Sequence, residues 1–316
     1  MVEVVDANAD QNSENNQQNT PLNTSFLRRQ LRVQITLYKG EFADGSNTKI
    51  IENLATTCSI QKLAYPEGGK ASVEIIGLPL ADMEALTTLS FKPMYVKRNY
   101  INIFAGDELH GLNQVFAGTI TKAGADFNSS PEVKFKMEAA IGFYGRMTAQ
   151  GPNVVSGSQS AASFIEGQCK KAGFKFTNQD VSAQIKDCVF QGSPIQQAQQ
   201  CANQIGAELI LDDGEAVLMK TGDGRKGNAI LLNKDSGLLG YPTISQNGVE
   251  VKAIFNPDFK FAGLFKLETI VPKASGTWRI TKLTHKLAAN SPSDGSWESS
   301  ITGFYPAMSG ASGKWI

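Results

Sequence analysis

The fold is decided by a stretch that begins Ser236-Gly-Leu-Leu-Gly-Tyr-Pro-Thr243 and closes with Gly295-Ser-Trp-Glu-Ser-Ser-Ile-Thr-Gly303, just before Tyr305. Between these ends lies Gly276-Thr-Trp-Arg-Ile-Thr-Lys-Leu-Thr-His285, a long run with the residue types of a strand. Asn256-Pro257 separates two shorter extended segments, and proline marks the turn because it has no backbone N–H to give to a strand ladder. The stretch therefore predicts a small closed β domain.

Strand patterns also dominate the first half of the chain. In Leu31-Arg-Val-Gln-Ile-Thr-Leu-Tyr38 apolar and polar residues alternate, which is the period of a half-buried strand. Further extended segments are predicted near residues 49–54, 58–64, 71–76, 100–104, 114–123 and 133–141. Pro79 precedes apolar residues at helical spacing, so one short helix is predicted over residues 79–89. Residues 27–150 are therefore expected to form a β-barrel or sandwich with one helix.

A change of pattern after Gly151-Pro152 predicts a separate α+β unit. The run Ser156-Gly-Ser-Gln-Ser160 is interpreted as a boundary, after which Ser158 or Ser160 caps a helix that ends at Gly173. A second helix is predicted from Ser193-Pro194-Ile195-Gln196, where serine is the cap and glutamine completes a capping box. Two apolar runs around Asp212-Asp213-Gly214 then predict a hairpin.

The composition is typical of a soluble globular protein of two or three domains. Hydrophobic residues make up 41% and charged residues 19% of the 316, and no run of about eighteen apolar residues is present to span a bilayer. Thirty basic residues balance thirty acidic ones, which argues against a whole surface built to coat nucleic acid. We expect no secretory signal, because the start Met1-Val-Glu-Val-Val-Asp6 has no basic region followed by an apolar core.

Both ends of the chain have the composition of tails. Residues 1–26 are polar and are expected to form a disordered arm, either an unstructured leader or an arm that orders against a neighbouring subunit. Residues 307–316 are small and glycine-rich apart from Trp315, and are expected to trail.

Four cysteines occur without a Cys-x-x-Cys pair. They are Cys58, Cys169, Cys188 and Cys201. Their wide spacing favours buried free thiols in a reducing compartment over a disulfide or a metal site, because zinc sites usually show paired spacing.

No catalytic, cofactor-binding or metal-binding set is recognisable. The two histidines, His110 and His285, belong to no His-Glu-x-x-His motif, and no nucleophile elbow occurs. His285 is expected to have a structural or surface role, with a ligand or pH-sensing role as the alternative. Gly222-Asp-Gly-Arg-Lys-Gly227 matches a pyrophosphate-cradling string, but a strand-like segment follows where a helix is needed, so a turn is predicted.

Acidic residues and tryptophans each leave two interpretations open. The acidic residues near the predicted hairpin are Glu208, Asp212, Asp213 and Glu215. A solvated turn is favoured for them over a carboxylate pair for glycoside hydrolysis. Trp278 and Trp297 are expected to fix the last two strands in a core or an interface, with a sugar-binding platform as the alternative.

The order of these parts resembles a known family. Its motifs are Gly237-Leu-Leu-Gly-Tyr-Pro-Thr243, Gly248-Val-Glu-Val-Lys-Ala-Ile-Phe-Asn-Pro257, Phe261-Ala-Gly263 and the two tryptophan segments. Together they resemble the baseplate hub proteins of contractile phage tails, relatives of late-control protein D and of the hub half of the type VI secretion spike protein. The resemblance covers roughly residues 30–305 and is rich in motifs only after Ser236.

The resemblance implies a mainly β fold with an α+β insertion. Two tube-protein-like β-barrel domains, residues 27–150 and 236–306, would flank an α+β domain of residues 151–235. The implied protein is a structural hub of the virion's tail baseplate, not an enzyme, and is assembled in the host cytoplasm. A homotrimer would offer six tube-like modules to the sixfold tail tube and a threefold surface to the central spike.

Partners and alternatives follow from the same resemblance. The implied partners are the central spike protein, the tail tube or tube initiator protein, the tape measure protein and other baseplate proteins. DNA is expected to pass through the lumen without specific binding, and neither a membrane nor a cofactor is expected. The alternatives are a tail-associated cell-wall hydrolase and a type VI secretion spike hub component.

Overall fold

The protein is mainly β, as the sequence predicts. The computed structural model describes residues 27–87, 99–129, 131–246, 248–291 and 295–305; the predicted N-terminal arm and C-terminal tail lie outside them. Within the described residues the strands are β1 (Arg29–Thr36), β2 (Thr48–Ile51), β3 (Ala55–Lys62), β4 (Lys70–Ile76), β5 (Tyr100–Asp107), β6 (Gly111–Asp126), β7 (Lys134–Ala140), β8 (Asn153–Ser160), β9 (Lys175–Asn178), β10 (Gln184–Phe190), β11 (Ala207–Asp212), β12 (Glu215–Lys220), β13 (Ile230–Leu232), β14 (Leu238–Ser245), β15 (Gly248–Ile254), β16 (Leu264–Leu267), β17 (Gly276–Ala289) and β18 (Trp297–Phe304).

Four short α-helices accompany these strands in the described part of the chain. They are α1 (Leu80–Leu86), α2 (Phe143–Met147), α3 (Ala161–Lys171) and α4 (Pro194–Gln204). None of these helices has the length and apolar character to cross a bilayer.

One large sheet contains thirteen of the strands. Its order is β14-β15-β18-β17-β3-β4-β7-β6-β5-β1-β2, with β16 beside β17 and β13 beside β16. The path is open, because β14 pairs only with β15 and β2 only with β1 among the described strands. The sheet does not close into a barrel, so the two-barrel composition implied by the resemblance is not confirmed.

The long strand β17 belongs to both halves of the sheet. Along one edge it pairs with β18, from Arg279↔Phe304 to Leu287↔Trp297. Along the other edge it pairs first with β16 and then with β3, where Leu283 faces Lys62. The closing strands of the chain are therefore hydrogen-bonded to the strands that come first in sequence.

The first strand-rich segment follows its sequence pattern. Leu31, Val33 and Ile35 of β1 are buried, as the alternation predicts. The predicted helix is α1, which buries Met83 and Leu86 against the sheet. Pro79 lies just before its first residue, and the predicted last position, residue 89, lies outside the described residues.

Both predicted helix caps of the α+β unit are present. The side chain of Ser160 accepts a hydrogen bond from the Ser163 amide at the start of α3. At the start of α4 the Gln196 amide donates to the hydroxyl of Ser193, and the Gln196 side chain accepts from the Ser193 amide at 2.8 Å. This is the predicted capping box.

Residues 156–160, interpreted from the sequence as a boundary, form part of a strand that was not predicted, and the domain boundary itself stays a prediction. These residues are part of β8, which pairs with β10. The strand tolerates its small residues because Gly157, at φ 74°, lies at an irregular point of the ladder and donates its amide to Asp187 Oδ1 at 2.8 Å. Gly157 therefore marks a bulge within β8.

Two main buried clusters stabilise the molecule. One lies beneath the first strands and continues under α3 and α4, and the other lies beneath the closing strands around Phe265 and Ile280. Trp278 is buried in the second cluster and donates its Nε1–H to the Ala274 carbonyl at 2.8 Å. Trp297 packs edge-on against Phe255, with ring centroids 5.2 Å apart. The predicted packing role of both tryptophans is confirmed.

Candidate functional site: a charged junction and a polar sheet face

The acidic hairpin places its turn in the interface between the α+β unit and the large sheet. β11 and β12 pair up to Asp212↔Glu215, which makes Asp213-Gly214 the predicted two-residue turn. Both turn residues have positive φ, 46° and 86°, as a type I′ turn requires. Asp212 is only 2% exposed, and the side chain of Asp213 is 19% exposed. The prediction of a solvated turn is therefore wrong.

Lys62, at the end of β3, is the buried cation that receives this turn. Its Nζ lies 2.7 Å from Oδ1 of Asp212 and donates to Oδ2 of Asp213. Arg225 approaches from the other side, with Nη1 2.9 Å from Oδ2 of Asp212 and Nη2 donating to Glu215. These five side chains form what we call the charged junction, in which three carboxylates meet two cations.

Crowding of these charges shifts the pKa of each central group. Burial acts to raise the pKa of Asp212, but Lys62 and Arg225 outweigh burial and hold it below the usual value. Burial raises the pKa of Asp213 to about 7, with help from the charge of Asp212 and against the attraction of Lys62. Burial acts to lower the pKa of Lys62, but the two aspartates raise it, so the ammonium stays charged.

His285 lies on the same face of the sheet as Lys62, because it pairs with Ile60 two residues earlier in β3. It is 1% exposed, and its Nδ1 lies 2.8 Å from the hydroxyl of Ser299. Burial, together with repulsion from Lys62, lowers the pKa of His285 to about 3, so the imidazole is neutral. His285 is therefore buried, which excludes the predicted surface role and is consistent with the predicted structural one.

The arrangement of the junction supports attachment of the hairpin to the sheet. A glycosidase needs an acid and a base that face each other across a space for the sugar. Here Asp212 and Asp213 contact Lys62 instead, at the interface between two elements. A second ion pair, from Arg279 of β17 to Glu208 of β11 at 2.7 Å, fixes the base of the hairpin to the shared strand.

Lys62 and Arg225 are the functional residues that the sequence interpretation missed. A signal for Lys62 exists in the sequence, because Cys58, Ile60 and Lys62 share one face of β3 and the first two are buried. A lysine on a buried face requires an acidic partner. No such signal marks Arg225, which lies in the glycine-rich string of residues 222–227.

That string is a turn, as predicted. It is followed by β13, and no helix begins there. Its loop positions Arg225, whose amide donates to the Ala262 carbonyl at 2.8 Å. The glycines therefore shape the backbone that delivers one cation of the charged junction.

The remaining candidates are structural or exposed. All four cysteines are free thiols, and Cys58, Cys169 and Cys201 are buried as predicted. His110 lies in the exposed β5–β6 turn with its Nδ1 2.9 Å from a carboxylate oxygen of Asp107. Within the part of the chain that the structure describes, no group of three or more His, Cys, Asp or Glu side chains is arranged to hold a metal ion.

The other face of the large sheet is mostly polar from β6 to β15, and every strand along this path except β3 places charged residues on it. Opposite charges face each other in the strand register, as in Lys122↔Glu138 and Lys286↔Glu298. The lysines of this face are residues 70, 122, 134, 136, 252, 282 and 286, and its acidic residues are 74, 126, 138, 250 and 298. We call this surface the polar sheet face, and its charges come close to balance.

The edge strand β14 exposes apolar side chains. Leu239, Tyr241 and Ile244 are 39%, 74% and 49% exposed. An edge strand with exposed backbone and apolar side chains is a template for pairing with another chain. The irregular ladder between residues 239 and 243, which contains Pro242, limits such pairing to part of the edge.

Solved structures similar to this chain include two tail proteins and a chain of a PdpA-VgrG complex. The 43 kDa tail protein of prophage MuSo2 from Shewanella oneidensis aligns with a TM-score of 0.59 over 87% of this chain and 97% of that chain, at 11% identity. The tail protein from Neisseria meningitidis MC58 gives 0.58 over 86% and 96%, at 8% identity. A chain of the Francisella PdpA-VgrG complex gives 0.53 over 92% of this chain and 60% of that chain, at 8% identity. These likenesses define the class of fold, which this chain shares with the two tail proteins.

The family follows from the sequence of the chain. A family model described as baseplate hub gp41 matches residues 30–293, which is most of the length. The chain therefore belongs to the baseplate hub gp41 family, in agreement with the resemblance seen in the motifs. No curated protein matches the chain. Membership of this family supports the assignment of the protein as a component of the virion, in the tail baseplate.

Proposed function

We propose that three copies of this hub form a ring that joins the sixfold tail tube of a contractile phage tail to its threefold central spike. The observation that carries the proposal is the open sheet, which leaves the unlike edges of β14 and β2 at its two ends. Identical copies that meet through unlike edges form a ring when the rotation between them closes.

Each copy would contribute two modules to the ring. Residues 27–150 and 236–306 are the two tube-like modules of the proposal, and residues 151–235 are the insertion domain. The shared strand β17 supports a fixed spacing between the modules, because β18 and β3 are both hydrogen-bonded to it. Three copies with two modules each would match six tube subunits.

We assign the polar sheet face to the lumen through which DNA passes. A polyanion binds tightly where lysines and arginines far outnumber acidic groups, because each neutralised phosphate releases a counterion; the polar sheet face has an excess of only two lysines, seven against five acidic residues. On the polar sheet face lysines are opposed by acidic residues, as Lys136 is by Glu74. Near balance supports passage without specific binding.

The remaining partners of the proposal are those of a tail hub. They are the tail tube or tube initiator protein, the central spike protein, the tape measure protein and other baseplate proteins. Assembly would take place in the host cytoplasm, with the hub as a non-enzymatic part of the virion. The ion-paired state of Asp212 and Asp213 supports the non-enzymatic assignment.

Native mass spectrometry of the purified chain, alone and mixed with its spike protein, tests the proposal. We expect a trimer, with one trimer of the spike bound to it in the mixture. A monomer in both samples over the micromolar range would contradict the adaptor role.

The secretion-spike alternative has one observation in its favour, the likeness in fold to a chain of the PdpA-VgrG complex. The genes beside this one discriminate between the two, because a phage tail cluster also encodes capsid and tape measure proteins. A zymogram on peptidoglycan tests the hydrolase alternative, and we expect no cleared band.

A further inference from the structure

The charged junction holds one more carboxylate than cations, at an interface between separate parts of the fold. β3 supplies Lys62, the hairpin supplies three acidic side chains, and the loop before β13 supplies Arg225. The other titratable groups packed around it are Tyr100 of β5, His285 of β17 and the Glu208–Arg279 pair. Tyr100 is neutral, since burial and the charge of Asp213 raise its pKa.

Asp213 is the group whose protonation balances the junction. It shares the single ammonium of Lys62 with Asp212. Asp212 has a second cation in Arg225, whereas Lys62 is the only cation in an ion pair with Asp213 among the described residues. A proton on Asp213 leaves two carboxylates against two cations.

Protonation has the opposite effect at His285, because the folded state disfavours a proton on its imidazole. Its ring lies on the Lys62 face of the sheet, its Nδ1 meets the hydroxyl of Ser299, and Phe255 packs against its edge with centroids 5.3 Å apart. A proton on this ring would place a second buried positive charge near Lys62. The packing around His285 therefore favours the neutral form.

We propose that the charged junction is a proton-compensated latch, in which Asp213 and His285 respond to acid in opposite senses and the hairpin keeps its hold on the sheet across the mildly acidic range. The proposal goes beyond the adaptor function, since it concerns how one copy holds its own insertion to its sheet.

The sign of each response follows from proton linkage. The raised pKa of Asp213 means that its contribution to folding is fully present below its ordinary value of 3.8 and is lost as the pH rises towards about 7. The lowered pKa of His285 means that its contribution is present above 6.5 and is lost as the pH falls towards about 3. Each slope is at most about tenfold in the unfolding equilibrium per pH unit, so the two largely cancel between about pH 4 and 6.5.

Urea unfolding of the full chain between pH 4 and 8 tests the latch with two variants. Asp213→Asn removes one response and keeps the left-handed turn, which asparagine tolerates. His285→Gln removes the other response and leaves an amide to meet Ser299. Asp223→Asn is the matched control, because Asp223 is exposed in the next turn of the chain.

We expect the unfolding constants of the two variants, each taken relative to wild type, to change with pH in opposite directions. Relative to wild type, the unfolding constant of Asp213→Asn rises by up to about tenfold per unit as the pH falls from 6.5 to 4. That of His285→Gln rises by up to about tenfold per unit as the pH rises from 4 to 6.5. Asp223→Asn runs parallel to wild type. Hydrogen exchange of the β11 and β12 amides follows the same slopes, because these strands carry the latch.

Either of two results would overturn the latch. One is an Asp213→Asn profile parallel to that of Asp223→Asn, which alone decides the matter if His285→Gln does not fold. The other is a pH dependence of the same sign for both variants, or a pH dependence of unfolding that hydrogen exchange of the β11 and β12 amides does not reproduce.

Discussion

Lys62 is the residue on which the junction between hairpin and sheet depends. The hydrogen-bond pattern of β3 places it on a buried face, yet its partner Asp213 lies 151 residues away. Sequence periodicity predicts the side on which Lys62 lies, whereas the identity of its partner depends on how two distant elements dock. This is why the candidate site could be predicted only as separate acidic residues and not as a junction.

Replacement of Lys62 by methionine should be strongly destabilising. Methionine keeps much of the side-chain length, but the buried carboxylates of Asp212 and Asp213 lose their shared cation. We expect a loss of about 3–5 kcal/mol in the free energy of unfolding, the usual result of breaking one side of a buried ion pair. Equilibrium urea unfolding at pH 7 measures it.

Lys226→Met is the control for this experiment. Lys226 pairs with Asp180 in solvent, with side chains 64% and 76% exposed, so its loss should leave the midpoint unchanged within error. Equal losses for the two variants would contradict the importance assigned to the junction.

At the scale of elements, local chemistry decided which parts of the fold could be predicted. The caps of α3 and α4 and the Asp213-Gly214 turn depend on residues close in sequence, and all three are present. β8 was missed because its glycine and serines are typical of linkers, and only its pairing with β10 makes it a strand. The pairing of β17 with β3 joins distant residues, and no local pattern indicates it.

Ser193→Ala tests the contribution of the α4 capping box. The change removes the hydroxyl that accepts the Gln196 amide and leaves a helix N-terminus with one more unsatisfied donor. We expect a loss of about 1 kcal/mol in the free energy of unfolding. Denaturant unfolding measures it beside Ser182→Ala, a change in an exposed loop of the same unit that should cost nothing measurable. A loss no larger than that of Ser182→Ala would show that the box is dispensable.

On the scale of the whole molecule, β17 belongs to both halves of the sheet, so the chain is predicted to unfold as one cooperative unit. The two main core clusters lie beneath different parts of a single hydrogen-bonded sheet. Loss of the closing strands would expose the β3 edge together with the first core, so neither half should unfold alone. We expect one calorimetric transition, with near- and far-ultraviolet circular dichroism changing together. Two resolved transitions would show that the halves are independent.

The near balance of the polar sheet face makes a prediction about DNA. Neutralising four acids of this face, with Glu74, Glu138, Glu250 and Glu298 changed to glutamine, leaves seven lysines opposed by Asp126 alone. We expect the affinity for duplex DNA at low salt to rise by at least about tenfold, with a steeper salt dependence. Fluorescence anisotropy at several salt concentrations measures both quantities.

A second variant with the same net charge separates the effect of where the acidic residues lie from the effect of net charge. Glu41, Glu67, Glu84 and Glu166, which lie off the polar sheet face, are changed to glutamine instead. If the position of the acids matters, this second variant binds DNA more weakly than the first. Equal binding would assign the effect to net charge alone.

The fourteen residues of β17 also determine how the molecule bears load. When a force pulls on one half of the sheet, the strain reaches the other half as shear along the two rows of hydrogen bonds that flank β17, and these bonds must break together. If a loop joined the two halves instead, the loop would have to extend before it could transmit force from one half to the other. The continuous strand is therefore expected to make the two halves a stiff coupling, with no slack between them.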